Sequence, residues 1–187
     1  MSTVSEINAT RLRAREIAQV TAYLESTRDA LAAATSGLSE VQLRYKPAPE
    51  VWSIAQNVEH LAIVEGFLHI RISQLPNSPE AEPDRENIVM DELVVREVPL
   101  RKIKVQTPSA AEPSGNASPA EVLERFNQSR SKTVQLASEA PCLRGRLMKH
   151  PVLGDLDGYQ WLLAVGAHTA RHTNQIAEVK SDPGFPA

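Results

Sequence analysis

Three of the five histidines in this sequence are placed where they can share a divalent metal ion. His168 and His172 lie four residues apart in AHTARHTNQIAEV, so on a helix they occupy one face, one turn above the other. His60 lies far upstream in WSIAQNVEHLAIVE, beside the apolar stripe of a second helical segment. Three neutral imidazoles leave the charge of an ion uncompensated and at least one coordination position open to water or substrate. Zinc and nickel both suit imidazole, and sequence does not rank them. Such an ion would let a water at the open position lose its proton near neutral pH and attack an ester or amide, which is hydrolase chemistry. A thiol cofactor bound there as thiolate would attack an electrophile instead.

The plainer reading is that these are core histidines satisfied by hydrogen bonds. That is the ordinary outcome for a lone histidine on an apolar face. Here Trp161, Val165, His168, His172, Ile176 and Val179 fall on one stripe, so both histidines hold core positions. Burying two imidazoles costs free energy unless each ring nitrogen finds a partner, and a metal supplies partners to both. The third histidine makes the signal more specific.

Other polar residues are candidates for a supporting role. Glu65 falls on the inward stripe Ile54, Val58, Leu61, Glu65, Leu68 and Ile72. A carboxylate at such a place is paired, assists the ligands, closes the site as a fourth ligand, or snorkels at a loose bundle end. Gln175 and Asn174 follow His172, while Asn57 and Gln56 precede His60 by three and four residues; such groups orient metal ligands. For Gln56 the simpler role is capping its helix, and for Asn174 it is solvation. Arg171 points about 100° away from His172 around the helix, so a surface or interhelix ion pair is its default. His69 is out of phase with His60 and is not expected to ligate. His150 sits in the last link, from which it could reach the open face of the site, but solvent exposure is the expectation. Cys142 lies outside both motifs and reads as a small apolar residue.

These side chains need helices to hold them. Residues from about 6 to 35 lack Gly and Pro and carry Ile17, Val20, Leu24 and Leu31 at helical spacing. Thr3 and Glu6 suit a capping box at the start, and Gly37 followed by Leu38 suits a left-handed helix end. SEVQLRYKPAPEVW reads as an irregular link. Ser53 and Gln56 form a second capping box, so a helix begins at Ser53 and runs to about Gln74, stopped by Pro76. Residues 76–118 hold six prolines and form a long crossover, within which ELVVREV is a short helix or strand. Ser118, Pro119 and Glu121 start a third helix over about 119–138, with Val122, Phe126, Val134 and Ala137 inward. APCLRGRLMKHPVLGDLDG reads as a link to a fourth helix at about 158–180.

The expected fold is therefore all-α: a four-helix bundle over residues 1–187 as a single domain, with the long crossover between helices two and three. His60 lies roughly 10 Å into its helix, and the later pair roughly 12 to 18 Å before the end of theirs. They come level if those two helices are antiparallel, which favours an up-down-down-up order.

Composition restricts the partners. A net charge of -3, from 20 basic and 23 acidic residues, gives no field for nucleic acid or anionic lipid. The single cysteine rules out an intrachain disulfide and suits a reducing compartment. The longest apolar run, WLLAVGA, is far below membrane-spanning length, and the N-terminus carries no signal-peptide core. The expectation is a cytoplasmic protein acting on a small molecule, with a homodimer left open.

GLSEVQLRYKPAPEVWSIAQNVEHLAIVE, followed by HPVLGDLDGYQWLLAVGAHTARHTNQI, resembles the DinB-like (DinB/YfiT-like) superfamily of metal-dependent enzymes. The resemblance is weak between residues 76 and 118. It implies a four-helix bundle with a metal held by one histidine of the second helix and a HxxxH pair of the fourth, matching His60, His168 and His172. It also implies either hydrolase activity or a thiol-cofactor-dependent S-transferase or isomerase. A stress-response module that binds metal or ligand without turnover, and a bundle merely stapled by metal, are the non-catalytic alternatives.

Overall fold

The computed structural model describes residues 4–82, 85–102, 106–140 and 143–187. The capping box expected of Thr3 and Glu6, and the environment of Cys142, lie outside the residues and side chains described. Helix α1 spans Val4–Thr35 and gives way to Gly37 at φ +73°, a left-handed conformation in which a Cβ would be strained. Leu38 then packs onto the core. The following link is less irregular than its composition suggests. Ser39 and Gln42 cap each other around a one-turn helix, α2, over Glu40–Arg44.

Helix α3, Ile54–Gln74, starts on the Ser53–Gln56 capping box as expected. The crossover contains helix α4, Asn87–Glu97, so most of ELVVREV is helical. Short 3₁₀ turns lie at Leu75–Asn77, Val98–Leu100 and Ser109–Ala111. Helix α5, Pro119–Glu139, begins on Ser118 with proline in its first turn. The last link holds an antiparallel hairpin that sequence reading missed: β1, Leu147–His150, and β2, Gly154–Asp157, with Met148 opposite Leu156. Strands of four residues are too short to display a period. Trp161 Nε1 donates to the Met148 carbonyl at 3.2 Å, which ties the hairpin to helix α6, Gly158–Lys180. Asp157 and Gln160 cap α6. No described helix is long and apolar enough to cross a membrane.

The long helices α1, α3, α5 and α6 form a bundle whose apolar stripes meet inside. The α3 stripe Ile54, Val58, Leu61, Glu65, Leu68 and Ile72 is buried throughout. In α5, Val122, Phe126 and Ala137 are buried, whereas Val134 is only half-buried. The deep positions of α5 expected to be apolar are shared with Arg130 and Thr133, both fully buried.

Arg130 explains why Glu65 is tolerated in the core. Its Nε donates to Glu65 Oε1 at 2.6 Å, its Nη1 to Thr27 Oγ1 at 2.9 Å and to the Leu24 carbonyl, and its Nη2 to Thr169 Oγ1 at 2.7 Å. Thr133 donates its hydroxyl to the other carboxylate oxygen. One guanidinium thus bonds to α1, α3 and α6 from its own seat on α5. Burial pushes the Glu65 carboxyl up and the Arg130 guanidinium down, and their mutual attraction opposes both.

Removing one partner leaves a buried charge uncompensated, so Arg130→Met should cost about 3–5 kcal/mol in urea unfolding. Glu65→Leu combined with Arg130→Met should recover a large part of that loss. A double-mutant cycle with no coupling between the two sites would contradict this account of the core.

Candidate metal centre

His60 faces α6 from the second turn of α3, and His168 and His172 face it from the middle of α6. His60 and His172 are buried and His168 is half-buried, so the accessible edge of the cluster is at His168. His168 Nε2 lies 3.4 Å from His60 Nε2 and 3.1 Å from His172 Nε2. The three ligand atoms all fall within 4.8 Å of one another.

The outer nitrogens decide the tautomers. His60 Nδ1 lies 2.7 Å from the Ala111 carbonyl, which can only accept, so Nδ1 carries the proton. His172 Nδ1 lies 2.8 Å from Asn57 Oδ1. The Asn57 amide nitrogen donates to the Ser53 carbonyl at 2.9 Å, which fixes its oxygen as the acceptor and assigns the His172 proton to Nδ1. Both rings therefore turn an unprotonated Nε2 inward. His168 has at most one Nε2 proton and cannot satisfy two neighbours with it. The cluster calls for an electrophile at its centre.

A divalent ion meets that demand. With metal–nitrogen distances of about 2.0–2.1 Å, tetrahedral ligands lie about 3.3–3.4 Å apart and octahedral neighbours about 2.8–3.0 Å apart. The observed separations fall across that range. Trp52 walls the site, with its ring centroid 4.9 Å from that of His60 and stacked on His172 at 6.1 Å and 16°.

Burial also keeps the rings neutral. Desolvation lowers the His60 pKa, partly opposed by the Ala111 carbonyl. It takes His168 down to about 3, helped by the neighbouring His60 ring and Arg171, and it pushes His172 well below the usual range. Unprotonated imidazole is the form a metal requires.

The remaining candidates take other places. Glu65 is not part of the histidine cluster, and its carboxylate is engaged by Arg130 and Thr133. Gln175, one turn beyond His172, has a buried Oε1 with no hydrogen-bond partner among the described residues. Asn174 is exposed and donates to the Pro99 carbonyl at 3.2 Å, and Gln56 caps α3. Arg171 reaches the Val98 carbonyl at 3.2 Å. His69 sits apart, 2.9 Å from Thr133 Oγ1.

His150 is not the exposed residue that the sequence suggested. It is half-buried on the Trp161 ring at 4.7 Å, and its Nδ1 accepts the Val152 and Leu153 amides at 3.2 and 3.1 Å. Burial lowers its pKa to about 4. The cause is the hairpin, whose turn it closes. Sequence reading gave no role in the site to Trp52 or to Ala111. The first was visible only as a residue preceding a helix, and the second acts through a backbone carbonyl that no side-chain pattern reveals.

Fold and site together define a helical bundle with a three-histidine cluster between two of its helices. Residues 23–176 match the DinB superfamily, and the chain belongs to it. It is 29% identical over 150 residues to the uncharacterized protein YuaE of Bacillus subtilis (strain 168), covering 77% of this chain and 86% of that protein. Among solved structures it resembles YfiT from Bacillus subtilis, described as a probable metal-dependent hydrolase with an unusual four-helix bundle topology. The TM-score is 0.61 at 17% identity, over 91% of this chain and 89% of that one. At that identity the likeness establishes the fold alone.

Two outcomes follow from this geometry. Asn57→Ala removes the acceptor that orients His172 and should weaken zinc binding about 10–100-fold in a competitive titration. All five histidines have pKa values below 6.5 in the folded chain. Well above pH 6.5 they are neutral in both states; as pH falls through about 6.5 the unfolded chain takes up protons that the folded one refuses. The metal-free protein should therefore lose stability as pH falls from about 6.5 toward the lowered values. Urea midpoints that stay flat between pH 7.5 and 5.5 would contradict the assignment.

Proposed function

We propose that the chain is a metal-dependent hydrolase of a small-molecule ester or amide, with zinc or nickel held by His60, His168 and His172. The observation that carries this reading is the convergence of three Nε2 atoms, two of them fixed as acceptors by Ala111 and Asn57. A divalent ion in that place would supply a Lewis acid and a nucleophile usable at neutral pH. The chain's own contribution is to keep the imidazoles neutral, hold their tautomers and leave the His168 edge accessible. Trp52 packs against the rings of His60 and His172 and steadies them. The description of YfiT as a probable metal-dependent hydrolase supports the same reaction class.

We also propose a single domain with an up-down-down-up order. Asn57 meets His172 and Leu75 approaches Gly158, which supports opposed directions for α3 and α6. Glu65 meets Arg130 and His69 meets Thr133, which supports a common direction for α3 and α5. Lys180 reaches the Ala34 carbonyl, which supports a common direction for α1 and α6.

Native protein should contain about one equivalent of metal by elemental analysis. Stripping the metal should abolish cleavage of a panel of nitrophenyl esters and anilides, and zinc or nickel should restore it. His168→Ala should lose both metal and activity while keeping its helical circular dichroism. A wild-type protein that binds neither ion at micromolar concentration would end this reading.

A further inference from the structure

We propose that Glu59 is a positioning residue for the metal centre, acting through residues 109–115 of the crossover to hold His60 in its ligating tautomer. The inference rests on the proposed metal site. Glu59 precedes His60 on α3 and therefore points about 100° away from it around the helix. It is buried, at 8% exposure, yet it has no cationic partner among the described residues. Its carboxylate is used on backbone instead. Oε1 accepts the Ser114 amide at 3.2 Å and the Ser114 hydroxyl at 2.7 Å, and Oε2 accepts the Gly115 amide at 2.9 Å.

That fastening sits close along the chain to the group that matters to His60. Ala111, three residues before Ser114, ends the turn Ser109–Ala111 and is buried at 5% exposure. Its carbonyl lies 2.7 Å from His60 Nδ1. Adjacent residues of α3 thus hold the two ends of one short stretch of crossover, whose intervening residues Glu112 and Pro113 are exposed and half-buried. Gly115 is shaped for the closure. Its φ is +70°, and a Cβ there would lie 3.1 Å from Gln56 Nε2. Without the Glu59 anchor, the turn keeps its own backbone hydrogen bonds but loses the side-chain fastening to α3 that fixes where it presents Ala111. His60 then loses its Nδ1 acceptor and exchanges to the Nε2-protonated form, which cannot ligate through the nitrogen that faces the cluster. Linkage makes the effect reciprocal: metal binding to His60 must tighten the docking of residues 109–115 by the same factor.

Glu59→Gln tests this with little change in volume. The amide keeps one acceptor, but its NH₂ group faces a backbone N–H. In metal-free protein labelled with ¹⁵N-histidine, long-range imidazole correlations should show His60 protonated at Nδ1 in wild type and exchanging between nitrogens in the variant. Zinc affinity should fall about 10–100-fold. In wild type, zinc should slow hydrogen exchange at the Ser114 and Gly115 amides, and the variant should lose that response. Ser114→Ala, which removes one of the three bonds, should give a smaller loss and guards against a folding failure of the first variant. The proposal is overturned if Glu59→Gln retains the wild-type His60 tautomer, whatever happens to the melting temperature. If wild-type protein fails to bind zinc, the metal reading falls, while the tautomer measurement still judges Glu59.

Discussion

A guanidinium sealed from water must find acceptors for its N–H groups inside the protein, and Arg130 finds them on three other helices. Apolar stripes alone allow helices to slide and rotate at small cost, because one methyl contact replaces another. Hydrogen bonds to a buried planar cation do not allow this. Glu65 lies five residues beyond His60 on α3, and Thr169 is the neighbour of His168 on α6. The same cation therefore sets the relative height of the two helices that carry the histidine cluster. A displacement of even part of a turn would separate Nε2 atoms that now stand 3.1 and 3.4 Å apart.

The histidine site depends on the same principle applied to lone pairs. Three imidazoles crowded into an apolar place avoid protonation because burial disfavours their charged forms. The outer nitrogens of His60 and His172 are satisfied by a backbone carbonyl and a side-chain amide, so their Nε2 atoms are left as acceptors turned toward His168. Such an arrangement is unfavourable by itself. It becomes favourable when a cation occupies the centre, so the polar partners around the rings, and not only the rings, support the metal reading.

Much of this was legible along the chain. The capping pairs Ser53 with Gln56 and Ser118 with Glu121 place the starts of α3 and α5, since a cap is a contact between residues three apart. The inward stripe of α3 follows from a period of 3.6, and the i, i+4 spacing of His168 and His172 follows from the same period. Glu65 was recognisable as an anomaly on that stripe, but its partner was not. Arg130 lies sixty-five residues away with no local sign that distinguishes it from a surface arginine. The hairpin at residues 147–157 escaped notice because two four-residue strands are specified by their pairing and by Trp161, not by a pattern of their own.

The sequence by itself determined the four long helices, the capped starts of α3 and α5, and that His168 and His172 share one inward helix face while His60 lies beside the stripe of another. Those properties arise from interactions within about a turn of helix. Only the tertiary structure decided that the three rings meet, which nitrogen of His60 and His172 faces the centre, and that His150 closes a turn. The histidine cluster depends on atoms brought together across dozens of residues, the Ala111 carbonyl and the Asn57 amide, and the His150 contact depends on a hairpin turn that forms only when its two strands pair. Local periodicity carries no information about which distant carbonyl will lie beside a ring, because that is fixed by how the whole bundle packs.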